Sequence, residues 1–248
     1  MAEIKRFAAA FLLFVAGCQS LGGQGDDWTE ADARVALADV VREQIEDIGR
    51  TAGLGPVDER VIEAVRRVPR HAFTPESLRF AAYLDMPLQW RPDSALTQPS
   101  LIGLMAQLCA PTPDGRLLMV GSGSGYEAAL LAELAHDVRV VEIDEEVARE
   151  AAARLAKLGY GNVRIAVADG YYGWPGGETF EAIVLRHAVA RPPPPLLWQL
   201  APGGRLVAPV GLGQDQQLTL YEKQADGSLV RRPLIKVRFS RLPGGLRI

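Results

Sequence analysis

The chain has 248 residues, of which 48% are hydrophobic and 23% charged, a composition that supports a buried core and excludes a disordered chain. Its formal net charge of −3 and the absence of a Lys/Arg run argue against nucleic acid as a partner. The two cysteines form no C-x-x-C pair and the three histidines are far apart in sequence, so no metal site is expected.

The first 18 residues resemble a bacterial lipoprotein signal. Lys5 and Arg6 form a short basic region, and residues 7–17 form an apolar stretch too short to span a bilayer. Small residues precede Cys18, whose thiol would carry the lipid anchor. We therefore expect a signal peptide over 1–18, a polar tether over 19–28 and a lipoprotein anchored in the membrane of the cell envelope. A hydrophobic N-terminus with a chance cysteine is the alternative.

The next seventy residues carry helical patterns. Apolar spacing over Glu30–Leu54 predicts an amphipathic helix, and Asp58 is placed to cap a second helix that ends near Pro69. A short helix is predicted within Pro75–Pro87, and turn residues predict a loop over Gln89–Pro99. A further helix follows over 100–110, in which Cys109 is expected to be a small buried hydrophobe.

From residue 116 onward, short apolar strands alternate with helices. This alternation predicts right-handed βαβ units and a mostly parallel sheet. The turn at 225–228 predicts an antiparallel hairpin between the last two strands. The predicted strands cover residues 116–121, 138–144, 163–170, 180–188, 203–211, 216–223 and 231–242.

The stretch MVGSGSGY at 119–126 places a glycine loop between a predicted strand and a predicted helix. It is not G-x-G-x-x-G and lacks the G-K-[ST] of a P-loop, which argues against a nucleoside triphosphate. An acid after the second strand can accept from ribose hydroxyls, and one after the third can contact an adenine edge. This set fits S-adenosylmethionine, the alternative being a generic nucleotide fold with chance acids. The predicted cofactor residues are Gly121, Ser122, Gly123, Ser124, Gly125, Glu142, Asp169 and Gly170.

Residues Val61–Leu242 resemble the protein-L-isoaspartate O-methyltransferases. VGSGSGY matches the first cofactor motif of that family, VVEID and ADG match the next two, and AYLDMPLQWRPDSALTQP aligns without gaps on its substrate loop. The resemblance implies an α/β fold over 29–248: a doubly wound, Rossmann-like, mostly parallel sheet with an antiparallel C-terminal hairpin and an N-terminal helical substrate-side segment (29–100). It also implies a monomeric enzyme, usually cytoplasmic, that methylates the carboxylate of isoaspartyl residues in proteins and peptides.

The sequence departs from the family pattern mainly around the acceptor. The family's T-I-S-x-P reads Ala95-Leu96-Thr97-Gln98-Pro99, so the resemblance assigns the catalytic hydroxyl to Thr97. A family glycine aligns with Arg91, and the small residues after the fourth strand align with Arg186-His187. Met119 stands where the family has an acid at the end of the first strand. Ser240-Arg241-Leu242 stands where the family has V-P-L.

These departures leave three interpretations open. The chain is an active methyltransferase with an altered carboxylate acceptor, a cofactor- or peptide-binding relative with little catalysis, or a methyltransferase of small carboxylic acids. Arg91 and Arg186 can pair with an acceptor carboxylate. His187 can act as a base near the methyl donor, although a neutral surface imidazole is the simpler expectation. The predicted substrate-side residues are Arg91, Ala95, Leu96, Pro99, Arg186 and His187.

Overall fold

The computed structural model describes residues 29–245. The predicted signal peptide, the tether and Cys18 lie outside the described residues. Two helices begin the described chain, α1 (Glu30–Ala52) and α2 (Glu59–Arg67). Thr29 and Asp32 form a capping box at the start of α1, and Asp58 caps α2 through the backbone N–H of Arg60. Both predicted helices are confirmed.

The segment between α2 and the next helix differs from its prediction. A 3-10 helix over Glu76–Ala81 replaces the predicted short helix, and another 3-10 turn, Arg70–Phe73, precedes it. The predicted loop is instead an antiparallel ribbon of β1 (Leu88–Arg91) and β2 (Ser94–Leu96), here called the ribbon. Pro92 and Asp93 form the turn that connects the two strands. These residue types favour tight hairpin turns as much as longer loops, so the sequence does not distinguish the two.

Helix α3 (Pro99–Cys109) leads into a seven-stranded sheet. The strand order is β5-β4-β3-β6-β7-β8-β9, with parallel pairing from β5 to β7 and antiparallel pairing of β8 with both neighbours. The predicted mostly parallel sheet with an antiparallel C-terminal hairpin is confirmed. The strands are β3 (Arg116–Val120), β4 (Asp137–Glu142), β5 (Val163–Val167), β6 (Phe180–Leu185), β7 (Leu200–Leu212), β8 (Asp215–Lys223) and β9 (Leu229–Val237).

The core lies on both faces of this sheet. Helices α1 to α3, α4 (Tyr126–Ala132) and α5 (Glu145–Lys157) contribute to the larger cluster, which contains buried Cys109 as predicted. Helix α6 (Pro194–Gln199) contributes Leu196 to the smaller cluster on the opposite face. Strand order reverses between β3 and β6, so the crevice at their carboxyl ends is the expected place for a ligand. Within residues 29–245, no helix is long and apolar enough to cross a bilayer.

Candidate active site

The glycine loop after β3 forms a cradle that only glycine fits. Gly121, Gly123 and Gly125 have φ angles of 93°, 51° and 97°, a region that side chains disfavour. A β carbon on Gly121 would lie 2.8 Å from Cε1 of His187, and one on Gly123 would lie 2.7 Å from Cζ of Arg186. Backbone conformation and two side chains from the end of β6 therefore both restrict this loop to glycine.

Glu142 is buried at the end of β4, beside the cradle. One carboxylate oxygen accepts from the backbone N–H and the hydroxyl of Ser122, at 2.8 and 3.0 Å. The other oxygen accepts from the backbone N–H groups of Ile143 and Asp144, at 2.8 and 3.2 Å. Hydrogen bonds to the charged form fix this carboxylate at the carboxyl edge of the sheet.

Asp169 follows β5 and lies under the C-terminal tail. One of its oxygens accepts from the backbone N–H of Tyr171 at 2.9 Å, and the other accepts from the backbone N–H of Gly245 at 2.7 Å. Gly170 is buried, and a β carbon there would lie 2.4 Å from Cγ1 of Val120. The space bounded by the cradle, Glu142 and Asp169 is called the cofactor cleft below.

Met119, just before the cradle, and Ser124, within it, are both buried. Met119 is fully buried in the larger core cluster, so an apolar side chain packs where the family pattern has an acid. Ser124 is also buried, and its carbonyl accepts a hydrogen bond from Nη1 of Arg154 on α5 at 3.3 Å. The cradle therefore connects to α5 as well as to β4.

A cavity of about 1040 Å³ lies next to the cleft and is called the acceptor groove. The ribbon and the segment up to Leu101 line one side of it, including Ala95, Leu96 and Thr97. Residues 235–240 line the other side, and Arg186 also borders it. Pro99 is buried as the first residue of α3 and does not line this groove. Three of the six predicted substrate-side residues, Ala95, Leu96 and Arg186, therefore share one cavity with Thr97.

Arg186 joins the groove to the cradle. Its Nε donates to Oε1 of Glu127 at 3.2 Å, and both side chains are buried. Its Nη2 donates to the carbonyl of Ala95 in the ribbon. Because the guanidinium also lies against Gly123, one side chain fills the space between ribbon, cradle and α4.

His187 is a half-buried, neutral imidazole. Burial, followed by the neighbouring charge of Arg186, lowers its pKa from 6.5 to about 4, although Glu142 acts in the opposite direction. Its Nδ1 is buried without a hydrogen-bond partner among the described residues. The expected neutral imidazole is therefore half-buried against the cradle at Gly121 and does not lie free on the surface.

Arg91 lies away from the acceptor groove. Its guanidinium pairs with Glu150 at 2.8 Å and with Glu146 at 3.4 Å, both on α5. The structure thus brings Arg186 to the groove and places Arg91 in a separate ionic contact. Arg241, in the segment that departs from the family's V-P-L, pairs by a β-bridge with Ala188 beside the end of β6.

The described residues contain no group of three or more His, Cys, Asp or Glu side chains arranged to hold a metal ion. Comparison with known proteins identifies the family of this chain. A sequence model described as protein-L-isoaspartate(D-aspartate) O-methyltransferase (PCMT) matches residues 43–246. The chain belongs to this family. A protein-L-isoaspartate O-methyltransferase 1 of Nitrosospira multiformis is 42% identical over 205 residues, 82% of this chain and 87% of the relative.

Other members of the protein-L-isoaspartate O-methyltransferase family extend the similarity. An enzyme of Syntrophobacter fumaroxidans is 40% identical over 243 residues, covering 96% of both chains. A solved protein-L-isoaspartate O-methyltransferase superposes with a TM-score of 0.72 at 27% identity, covering 85% of this chain and 66% of that one. A Plasmodium falciparum structure in complex with S-adenosyl-L-homocysteine shares the fold, with a TM-score of 0.66 at 20% identity, covering 81% of this chain and 97% of that one.

Sequence reasoning missed Arg70, which organises the segment leading to the groove. It is fully buried and donates to the carbonyls of Ala82, Leu84, Met86 and Thr97 at 2.8 to 3.2 Å. Burial lowers its pKa from the ordinary arginine value. Nothing local to Arg70 predicts these contacts, because the four carbonyls lie 12 to 27 residues away.

Proposed function

We propose that this chain is an S-adenosylmethionine-dependent carboxyl O-methyltransferase that acts on isoaspartyl residues or on a related, more anionic carboxylate. The carrying observation is that the cradle, Glu142 and Asp169 meet at the switch point of the sheet, beside a groove containing Thr97. An S-adenosyl group fits the nucleoside side of the cleft, where the carboxylates of Glu142 and Asp169 are held in place by backbone N–H groups.

When bound, S-adenosylmethionine supplies an electrophilic methyl group. The acceptor carboxylate is ionised at neutral pH, so the protein needs no strong base to activate it. The contribution of this chain is to hold the acceptor in line with the methyl group and to exclude water. Thr97 offers a hydroxyl to the acceptor end, and Arg70 fixes its backbone carbonyl at 3.2 Å.

Charge in the acceptor groove supports an anionic acceptor. Arg186 borders the groove, and Lys236 and Arg238 line it from the opposite side, whereas Asp93 is the acid among its lining residues. Cationic side chains favour acceptors that carry negative charges beside the reacting carboxylate. An isoaspartyl peptide with acidic neighbours therefore fits better than a neutral one.

A relative with little catalysis is the second candidate, favoured by the position of Arg186. Its guanidinium fills space beside Gly123, next to which the methyl donor and the acceptor would have to meet. In this candidate the cofactor cleft still binds an S-adenosyl ligand. The third interpretation, a methyltransferase of small carboxylic acids, gains no specific support from a groove of about 1040 Å³.

Two measurements test the proposed function. Calorimetric titration of the 28–248 fragment with S-adenosylhomocysteine should give binding, and its absence at millimolar ligand contradicts any S-adenosyl site. Tritiated S-adenosylmethionine should then label an isoaspartyl peptide with acidic flanks faster than one with neutral flanks. Binding without labelling of either peptide selects the second candidate.

We further propose that Cys18 carries a lipid anchor that places the enzyme in the cell envelope. Lys5 and Arg6, the apolar residues 7–17 and the small residues before Cys18 occur in the order of a lipoprotein signal. Metabolic labelling with a fatty-acid analogue should mark the parent protein and leave Cys18→Ser unlabelled. An unlabelled parent in the soluble fraction would favour the cytoplasmic alternative.

A further inference from the structure

The ribbon is attached to helix α5 by one aromatic and several charged side chains. Arg91, at the end of β1, pairs with Glu150 at 2.8 Å and with Glu146 at 3.4 Å. Glu150 also pairs with Arg154 at 3.0 Å, one helical turn further along α5. A single carboxylate thus bridges a ribbon arginine and a helix arginine.

Trp90 lies within the same cluster. The guanidinium carbon of Arg91 lies 5.0 Å from the centroid of its ring, and that of Arg154 lies 5.5 Å from it, distances at which a cation is attracted to an indole. The indole N–H donates to the hydroxyl of Ser94 at 3.0 Å, which fixes the ring across the ribbon. Trp90, Arg91, Glu150 and Arg154 together are called the latch.

The latch and Arg186 hold the ribbon to the walls of the cofactor cleft. Arg154 reaches the cradle through the carbonyl of Ser124 at 3.3 Å. Arg186, at the end of β6, donates to the carbonyl of Ala95 in β2. The ribbon is therefore tied to α5, to the cradle through Arg154, and to the end of β6, and the cradle is one wall of the cleft.

We propose that the latch closes the ribbon over the cofactor cleft, so that an S-adenosyl ligand enters or leaves when Arg91 releases Glu150. Arg91 and Trp90 are then positioning residues, because they act on the ligand through the ribbon. The same ribbon lines the acceptor groove, so its closure couples the two halves of the site. The ligand part of this proposal rests on the proposed function; the closure of the ribbon does not.

Electrostatics make the latch reversible. The side chains of Arg91, Glu150 and Arg154 are 27%, 29% and 32% exposed, so salt can screen their attraction. Burial alone would raise the pKa of Glu150, but its hydrogen bonds from Arg91 and Arg154 outweigh that effect and lower it. Because this pKa is depressed, the ion pair persists at neutral pH and weakens only as acid protonates Glu150.

Hydrogen–deuterium exchange of the full-length protein without ligand tests the closure. We expect amides of residues 88–96 to exchange about tenfold faster in Arg91→Gln and in Glu150→Gln, since the ribbon opens more often. Arg91→Lys, which keeps the charge, should lie between the parent and Arg91→Gln. The matched control is Arg205→Gln, which breaks a similarly exposed ion pair with Glu222 on β7 and β8.

The double variant Arg91→Gln/Glu150→Gln separates a shared interaction from two local defects. If both substitutions break the same ion pair, the ribbon of the double variant should exchange at a rate close to that of the single variants. The latch is contradicted if the acceleration of exchange in the double variant equals the product of the two single-variant accelerations. It is also contradicted if ribbon exchange in both single variants is unchanged from the parent. Thermal unfolding of each variant checks that the remaining fold is intact, because general unfolding would accelerate exchange far beyond the ribbon.

The release rate of S-adenosylhomocysteine tests the link to the cleft. Raising NaCl from about 0.05 M to about 1 M should accelerate release several-fold in the parent and hardly at all in Arg91→Gln, because the Debye length falls to about 3 Å. Equal salt dependence in both proteins overturns the gating role. Failure of the parent to bind the ligand contradicts the proposed function instead, and ribbon exchange still decides whether the latch exists.

Discussion

The two ends of the site are built in different ways. At the cofactor end, the shape comes from backbone: three glycines with positive φ, and the carboxylates of Glu142 and Asp169 held by main-chain N–H groups. At the acceptor end, the shape comes from side chains on separate segments, such as Thr97 and Arg186. Because glycine conformation shapes the cradle, we expect it to tolerate a change at a buried neighbour such as Met119, whereas single substitutions alter the charge and volume of the acceptor end.

The largest effect is expected from breaking the ion pair between Arg186 and Glu127, which connects the two ends of the site. Arg186→Ala would leave the carboxylate of Glu127 buried without its partner, since both side chains are under one-tenth exposed. We expect a loss of about 3–5 kcal/mol in the free energy of unfolding, measured by urea denaturation.

The control for this prediction removes both charges. Arg186→Leu/Glu127→Leu replaces the pair by apolar side chains and should cost less than about 1 kcal/mol, since buried ion pairs and apolar replacements are often equivalent. A single variant no less stable than the double variant would show that Glu127 finds water or another donor when Arg186 is removed.

His187, which packs against the cradle at Gly121, gives the stability of the protein a pH dependence. Its pKa is about 4 in the folded protein against 6.5 ordinarily, so the unfolded chain binds a proton first as pH falls. This stabilising difference is complete above about pH 6.5 and is lost between that pH and about 4, amounting to about 3 kcal/mol. Chemical denaturation at several pH values should show a shallower acid loss in His187→Asn. Parallel curves for the two proteins would refute the assignment.

Glu142 tests the cofactor end directly. Glu142→Ala should weaken binding of S-adenosylhomocysteine by about 1–3 kcal/mol, because a buried charged acceptor for ribose is removed. Ser122→Ala removes the hydroxyl contact at 3.0 Å and should have a smaller effect. Asp226→Ala, in the exposed turn between β8 and β9, is the distant control. Unchanged affinity in Glu142→Ala would place the ribose elsewhere.

A few substitutions at the acceptor end should increase methylation of a neutral isoaspartyl peptide. We expect weak methylation of a neutral isoaspartyl peptide by the parent, because Arg186 and His187 occupy space beside the cradle. A variant with Arg186→Gly, Glu127→Gln, His187→Ala and Thr97→Ser should gain about tenfold in rate, equivalent to about 1.4 kcal/mol of barrier. Glu127→Gln is included so that no carboxylate is left unpaired. Rapid methylation of the neutral peptide by the parent would contradict this prediction and indicate an ordinary repair enzyme.

The predictable parts of this molecule are those encoded locally. The glycine loop, Glu142 and Asp169 lie at the carboxyl ends of predicted strands, and parallel strands bring those ends to one edge. The predicted cap at Asp58 is confirmed because a side-chain cap acts within three residues, and the helix predicted from Glu30 begins there. Such signals need no knowledge of tertiary contacts.

The parts that could not be predicted depend on partners distant in sequence. Glu127 and Arg186 are 59 residues apart, and Arg91 and Glu146 are 55 apart. No periodicity or spacing pairs such residues, so the sequence places Arg91 at the acceptor, whereas its side chain contacts α5. The ribbon escapes prediction for a related reason, because its two strands are only four and three residues long.

The smallest expected effect concerns the C-terminal tail over the cofactor cleft. The backbone N–H of Gly245 occupies one oxygen of Asp169 at 2.7 Å, the acid we assign to the adenine edge. A β carbon on Gly244, where φ is 80°, would lie 2.5 Å from the Asp169 carboxylate. Gly244→Ala should therefore push the tail away and free that oxygen for the ligand. We expect S-adenosylhomocysteine to bind about threefold more tightly, within the net value of one hydrogen bond.

Calorimetry of Gly244→Ala beside Gly213→Ala isolates this effect. Gly213 also has a positive φ, of 58°, but a β carbon there meets nothing within 4 Å, so its substitution adds backbone strain without touching the cleft. Tighter binding in Gly244→Ala alone supports competition between the tail and adenine. Weaker binding would instead make the tail part of the adenine site, because the hydrogen bond to Asp169 would then hold the carboxylate in its binding position.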